Sequence, residues 1–252
     1  VDVSIAHSRA NWRRRERDRW EIFRTIAVDL HGGEPRLLLM DDASRGWVTG
    51  AEVVSVHGPR RGTIVMASFD FQSGRDVWAP RLFVVDLRTG KGHPLEWGAD
   101  GTQDWLVDAR GEPLVRSDWD STRDQLVVLA RRKGAWTEIH RLPKDAMLTL
   151  VGLSADGGAA LAIGAAGEER SKLWSIALDG SGATVLAEDP GHDVESVILD
   201  PYDRRAVGVV VGSLPETRRW LDPQTAALRA RLAQAFPGRT VAVGGRSRDG
   251  QR

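Results

Sequence analysis

Sets of short apolar runs, each bounded by Gly, Pro or Asp, recur along this chain at a step of about 47 residues. The first runs of successive sets begin near residues 53, 104, 148 and 194. The first set comprises 53–56, 63–69, 81–86 and 93–97, and the second 104–108, 113–118, 125–131 and 136–141. A third follows at 148–153, 159–164, 172–177 and 184–187, and a fourth at 194–200, 204–211 and 218–221. A lone four-stranded meander leaves two edges and an apolar face in water. Stacking such sheets radially buries the faces and leaves only short edges. A two-sheet sandwich also uses many short strands, but it does not require a regular step with recurring turn chemistry. The expected fold is therefore all-β, an incomplete β-propeller of about five four-stranded antiparallel blades.

Turn chemistry repeats with the strands. Leu82-Phe83-Val84-Val85-Asp86-Leu87-Arg88-Thr89-Gly90 is echoed by Leu173-Trp174-Ser175-Ile176-Ala177-Leu178-Asp179-Gly180, and upstream by Ile26-Ala27-Val28-Asp29-Leu30-His31-Gly32-Gly33. Each is a strand running into a turn where Asp bonds its own backbone and Gly supplies positive φ. Ser154-Ala155-Asp156-Gly157 likewise matches Ser247-Arg248-Asp249-Gly250. With 27 glycines for turns and 10 tryptophans against a single tyrosine, Trp105, Trp136 and Trp174 are expected to fill the space between blades. The whole chain, 1–252, reads as one partial propeller. Its approximate blades are 1–40, 53–97, 104–141, 148–187 and 194–221, with the start of another at 239–252.

One segment breaks the pattern. Asp222 suits an N-cap, Pro223 the first helical position and Pro237-Gly238 a stop, which predicts a short inserted helix over 223–236. Leu228, Leu232 and Ala235/Phe236 share a face, so that stripe is expected to pack while the arginines face water.

Composition removes several function classes. Thirty-five basic and 35 acidic residues cancel, which argues against nucleic acid or an anionic membrane as the main partner. Without cysteine there is no disulfide, thiolate nucleophile or zinc–thiolate site. The longest apolar runs fall far short of the roughly 20 residues a spanning helix needs. The compartment stays open between cytoplasm and periplasm.

No catalytic constellation emerges. The histidines, His7, His31, His57, His93, His140 and His192, are scattered beside turns without metal-ligand spacing. Asp118-Trp119-Asp120-Ser121-Thr122-Arg123-Asp124 has the outline of a calcium loop, but Arg123 stands where the sharp turn needs Gly and the closing Glu is missing, so a hairpin connection is expected. The run 11–20, arginines interleaved with Trp12 and Trp20, is interrupted by Glu16 and Asp18 and reads as a solvated loop. Glu168 and Glu169 sit side by side, where they could grip an amine or merely solubilise a loop. Ser154 and Ser247 each follow a Gly by two residues but lack the second Gly of a nucleophile elbow. Catalytic, metal and cofactor-binding residues are thus assigned to none, and substrate-binding residues are left unassigned.

The order of features carries a resemblance. The stretches 82–95, 148–186 and 194–211 are followed by Arg219-Trp220-Leu221-Asp222-Pro223, the predicted helix, and Ala235-Phe236-Pro237-Gly238-Arg239-Thr240-Val241. From about residue 20 onward the chain resembles the N-terminal propeller of bacterial prolyl oligopeptidase-family serine peptidases, nearest the acylaminoacyl-peptidase and dipeptidyl-peptidase-like branch. The resemblance implies a propeller that breaks no bond itself. In that family a C-terminal α/β-hydrolase domain carries the Ser, Asp and His, and the propeller caps it so that only short peptides enter. None of that triad maps onto this chain, and the branch's paired-glutamate amine site is not carried to Glu168 and Glu169, which lack its helical context.

Function is therefore expected to be substrate gating without catalysis, with a missing hydrolase domain and peptide substrates as partners. The alternative is an independent TolB- or WD40-like scaffold for other proteins. A propeller glycosidase or lactonase would need clustered carboxylates or histidines that the sequence does not place. The chain opens inside a blade and stops just past Gly250, so it is expected to be a piece of a longer protein or to associate through its open edges.

Overall fold

The computed structural model describes residues 25–29, 31–39, 51–72, 74, 77–200, 206–212, 216–239 and 241. Among these the chain is nearly all strand, with a single helix. A short pair, β1 (Ile26–Ala27) and β2 (Arg36–Leu37), is followed by β3 (Glu52–Ser55), β4 (Thr63–Gln72), β5 (Val77–Asp86) and β6 (Gly92–Trp97). Next come β7 (Thr102–Val107), β8 (Pro113–Asp120), β9 (Gln125–Arg132) and β10 (Ala135–Arg141). The set β11 (Thr149–Leu153), β12 (Ala159–Gly164), β13 (Lys172–Ala177) and β14 (Ala183–Ala187) precedes β15 (Val194–Leu199), β16 (Ala206–Val211), β17 (Thr217–Trp220) and α1 (Pro223–Ala235).

Strand order in every sheet is sequential: β3 to β6, β7 to β10 and β11 to β14 are four-stranded, β15 to β17 three-stranded. Among the described residues no sheet closes on itself. Such consecutive up-and-down antiparallel sheets make an incomplete β-propeller, as the repeat step predicts. Of the expected blade 1–40 only β1 and β2 lie within the described residues; the basic run 11–20, His7 and the turn at Ser247 lie outside them.

Packing follows strand alternation. On β4, Ile64 and Met66 point to one face, where with Phe83 and Val85 of β5 they meet Ala27, Leu38 and Leu39. Val65, one residue out of phase, points to the other face and with Leu82 packs against Trp105, with Trp136 alongside. Both faces of this sheet are thereby buried, which is why its central strands read as continuous apolar runs. Trp105 and Trp136 fill inter-sheet space as expected, their rings edge-on at 5.8 Å. Trp174 instead donates its ring N–H to the carbonyl of Gly164 at 2.8 Å.

Compact contacts divide the chain into Val1–Ser121 with Leu129–Trp136, and Thr122–Val128 with Thr137–Arg252. In the second unit, Leu161, Leu173 and Ala187 pack on Val194, Val209 and Val211, so two successive sheets again share one core.

The repeated turns form as their chemistry dictates. The carboxylate of Asp29 accepts from the His31 N–H at 2.9 Å, and that of Asp86 from the N–H groups of Arg88 at 2.9 Å and Thr89 at 2.8 Å. Asp179 accepts from the Ser181 N–H at 2.8 Å. The first strands β3, β7, β11 and β15 all carry a pairing irregularity against their second strands. Bulges of this kind bend a strand and redirect its side chains.

Two local expectations needed correction. The hairpin β4–β5 is longer than predicted, its ladder running out to Gln72 opposite Val77, because Pro80 sits within β5 rather than ending it. The helix forms where expected, with the Asp222 carboxylate accepting from the Thr225 N–H at 2.7 Å, but its orientation differs. Arg229 turns inward over the Trp220 ring at 4.8 Å, while Leu228 and Phe236 remain 47% and 48% exposed. Cation–π attraction to Trp220, together with a hydrogen bond from Arg229 to the Val241 carbonyl at 3.1 Å, sets the helix rotation ahead of the leucine stripe.

Candidate functional site

Two bulged first strands bring acids together in the first unit. Glu52 opens β3 and Asp104 lies in β7. The fully buried Ser117 hydroxyl donates to the Asp104 carboxylate at 3.0 Å and accepts the Asp104 N–H at 3.1 Å, fixing the side chain. Lost hydration, and secondarily the Asp104 charge, hold the Glu52 carboxyl above its ordinary pKa. Two neighbouring acids of this kind favour a cation, but by themselves they break no bond.

Beside it run stacks of arginine and aromatic rings. Arg81 of β5 covers Trp97 of β6, directly opposite in register, and pairs with Asp70 at 2.6 Å. In the next sheet, Arg116 lies 4.7 Å from the Trp136 ring and 5.8 Å from that of Trp105, and pairs with Asp118 at 2.9 Å. Glu96 bridges two elements: one oxygen takes Arg131 at 2.5 Å and the other accepts from the Trp136 ring N–H at 3.3 Å. Every guanidinium here is neutralised by a carboxylate, so the stacks knit sheets together.

The second unit holds an open cleft of about 630 Å³. Its floor is Leu148 and Ile163, its rim Lys144, Met147 and Glu168, and Gly167 lines one wall. Asp145 and Ala166 flank it with φ of 61° and 52°, unusual for non-glycine residues.

The residues singled out from sequence go to separate places. Glu168 and Glu169 serve different cations: Glu168 pairs with Lys172 at 2.5 Å, and Glu169 with Arg170 at 3.3 Å. Lys172 also takes Glu188 at 2.7 Å, and these two carboxylates raise its pKa. The Ser154 hydroxyl donates to Asp156 at 2.6 Å and accepts the Ala159 N–H, which commits it to its turn. Asp118 and Asp124 point to different partners, Arg116 and Lys144, across a β8–β9 hairpin. His31, His57, His93 and His192 are exposed, and burial lowers the pKa of half-buried His140. Among the described residues no three His, Asp or Glu side chains gather as a metal site, and no helix is long and apolar enough to cross a membrane.

Sequence reasoning missed Glu52, Asp104, Arg81 and Arg116. For Arg81 a signal existed: it interrupts an otherwise apolar strand run, where only a stacked and neutralised guanidinium fits.

No family model matches the chain. It is 27% identical over 233 residues to dipeptidyl aminopeptidase BIII of Pseudoxanthomonas mexicana, covering 91% of this chain but 32% of that protein. The chain therefore spans about a third of the length of the curated relative it matches. Among solved structures it is similar to the β-propeller domain of the trilobed protease from Pyrococcus furiosus, at TM-score 0.40 and 6% identity over 67% of this chain and 57% of that one. It is also similar to TolB from Acinetobacter baumannii, at TM-score 0.34 and 13% identity over 79% and 59%. The sequence relationship, spread over nine-tenths of the chain, supports the propeller region of a prolyl oligopeptidase-family peptidase.

Proposed function

We propose that residues 1–252 form one partial propeller that gates a serine peptidase acting on short peptides, the bond-breaking residues lying in an α/β-hydrolase domain outside this chain. The observation that carries this reading is the kinship to a dipeptidyl aminopeptidase across nearly the full chain. Ser154, Asp70 and Asp118 are taken up locally, Ser154 by Asp156 in its turn and the two aspartates by Arg81 and Arg116. In this role the sheets act sterically. They admit a thin, unstructured chain and exclude a folded one, and acids on the first strands, such as Glu52 and Asp104, screen what passes.

The test uses the chain alone and the full-length protein that contains it. A fluorophosphonate probe is expected to label the full-length protein and leave the isolated chain unlabelled. The full-length protein is expected to cleave dipeptidyl and other short substrates and to spare folded proteins. Labelling of the isolated chain, or equal cleavage of a folded protein and a short peptide, would overturn the reading.

A further inference from the structure

Among the described residues, α1 is restrained by its Asp222 cap and by Arg229, which stacks on Trp220 and bonds the Val241 carbonyl. None of its 13 residues is buried. Thr225, Ala226, Arg229 and Leu232 are half-buried on the inner side, where Arg229 stacks on Trp220. Gln224, Leu228, Arg231 and Ala235 form an exposed outer row at i, i+4, i+7 and i+11. An isolated helix of about this length is marginal in water, and its stability normally comes from packing. Here Leu228, on the outer row, is left 47% exposed.

Charge on the same surface is one-sided. Between 216 and 239 there are five arginines, at 218, 219, 229, 231 and 239, against Glu216 and Asp222. The Asp222 carboxylate is occupied by the N–H and hydroxyl of Thr225 at 2.7 and 2.6 Å. Among the described residues, Arg218, Arg219, Arg231 and Arg239 have no acidic partner, whereas Arg81, Arg116 and Arg131 are each paired with a carboxylate. Among the described residues, adjoining β17 is bonded to β16 and ends a three-stranded sheet.

We propose that the outer face of α1, with the neighbouring β17, docks an acidic segment of a partner protein that carries apolar side chains between its carboxylates. Carboxylates meet Arg218, Arg219 and Arg231, and the apolar groups cover Leu228. A second copy of this chain is a poor occupant, because α1 has no acidic residue and two copies would oppose arginines. Nucleic acid is disfavoured because the Trp220 face, the available stacking platform, is covered by Arg229. Two exposed apolar side chains are too few to seat a helix in a bilayer surface. The inference stands apart from the peptidase reading.

The test is fluorescence polarisation of the whole 252-residue chain with a labelled short peptide alternating glutamate with leucine and phenylalanine. Binding is expected to weaken steeply between about 50 and about 300 mM salt. Peptides with glutamine for glutamate, or serine for the apolar residues, are expected to bind roughly tenfold more weakly. Arg231→Glu and Leu228→Ser each produce a similar loss, with the strand circular dichroism unchanged; Arg231→Glu touches no packed side chain, so its effect is not one of unfolding. Equal binding of the glutamine peptide, indifference to both substitutions, tighter binding to phosphatidylserine vesicles or single-stranded RNA, or a dimer dispersed by Leu228→Ser would overturn the proposal.

Discussion

The guanidinium of Arg81 lies 4.0 Å from the centroid of the Trp97 ring, directly across the β5–β6 ladder. Its terminal nitrogen meets Asp70 at 2.6 Å, with both side chains at least four-fifths buried. The arginine thus spends its charge on Asp70 and its flat face on Trp97, which lets a cation sit inside an apolar strand. Arg116 repeats this device in the following sheet, with Asp118 for the charge and Trp136 for the face.

Arg81→Lys keeps the charge and loses the planar stack, so it is expected to cost about 1 kcal/mol in urea unfolding. Arg81→Ala removes both the stack and the ion pair to Asp70 and is expected to cost about 3 kcal/mol. A double-mutant cycle with Trp97→Leu is expected to show coupling of about 1 kcal/mol. If Arg81→Lys unfolds at the wild-type midpoint, the stack contributes nothing.

Two buried serines should respond oppositely to alanine. Ser117 holds Asp104 through two hydrogen bonds, and Ser117→Ala is expected to cost about 1 to 2 kcal/mol. The Ser68 hydroxyl, buried opposite Arg81 on β4, has no hydrogen-bond partner among the described residues. Ser68→Ala removes an unsatisfied oxygen of nearly the same shape, so stability is expected to hold or rise slightly. Calorimetric midpoints of the two variants decide it. A large loss for Ser68→Ala would mean that the hydroxyl has a partner after all.

The strands were legible because each is an apolar run that ends at a residue with its own turn chemistry. Asp86 and Asp179 mark hairpins by bonding the backbone two residues on, and the spacing of such turns carries the blade repeat. What escaped the sequence depends on register. Nothing linear links Arg81 to Trp97 or Glu52 to Asp104; they meet only once β5 pairs with β6 and the first strands lie side by side. The helix shows the same limit. Its caps are local and were readable, but its rotation is set by Trp220, which lies outside it.

Acid should act on the turns and on Glu52 with opposite signs. Hydrogen bonds to their carboxylates lower the pKa of Asp86, chiefly from the Thr89 N–H, and of Asp156, chiefly from the Ser154 hydroxyl. The stabilisation they give is present above the unfolded value of about 3.9 and is lost as pH falls through the lower folded value. Asp86→Asn and Asp156→Asn, which still accept turn bonds, should therefore flatten the acid limb of stability below about pH 4. Glu52, with its raised pKa, favours the folded state when protonated; that contribution is full below about 4.3 and is lost as pH rises through the folded value. Glu52→Gln is expected to stabilise the chain at pH 7, by less than about 0.5 kcal/mol given solvent screening. Unfolding midpoints between about pH 3 and pH 8 read both effects, and a Glu52→Gln variant weaker than wild type at neutral pH would reverse the assignment.

Asp222 tests how independent α1 is of the sheets. Its carboxylate takes both the N–H and the hydroxyl of Thr225, closing the first turn. Loss of such a cap costs about 1 kcal/mol. In a helix packed against a core that loss is shared with the whole domain. Here no helical residue is buried, and among the described residues the cap, the Arg229–Trp220 stack and the Arg229–Val241 bond are the main restraints on α1. Asp222→Ala is accordingly expected to remove the helical signal from far-ultraviolet circular dichroism while the urea midpoint of the strands moves little. Binding of the acidic peptide should fall with the helical signal, because the outer row exists only when the helix does. A variant that keeps its helix, or that unfolds helix and strands together, would show that α1 is secured by contacts beyond its cap and Arg229.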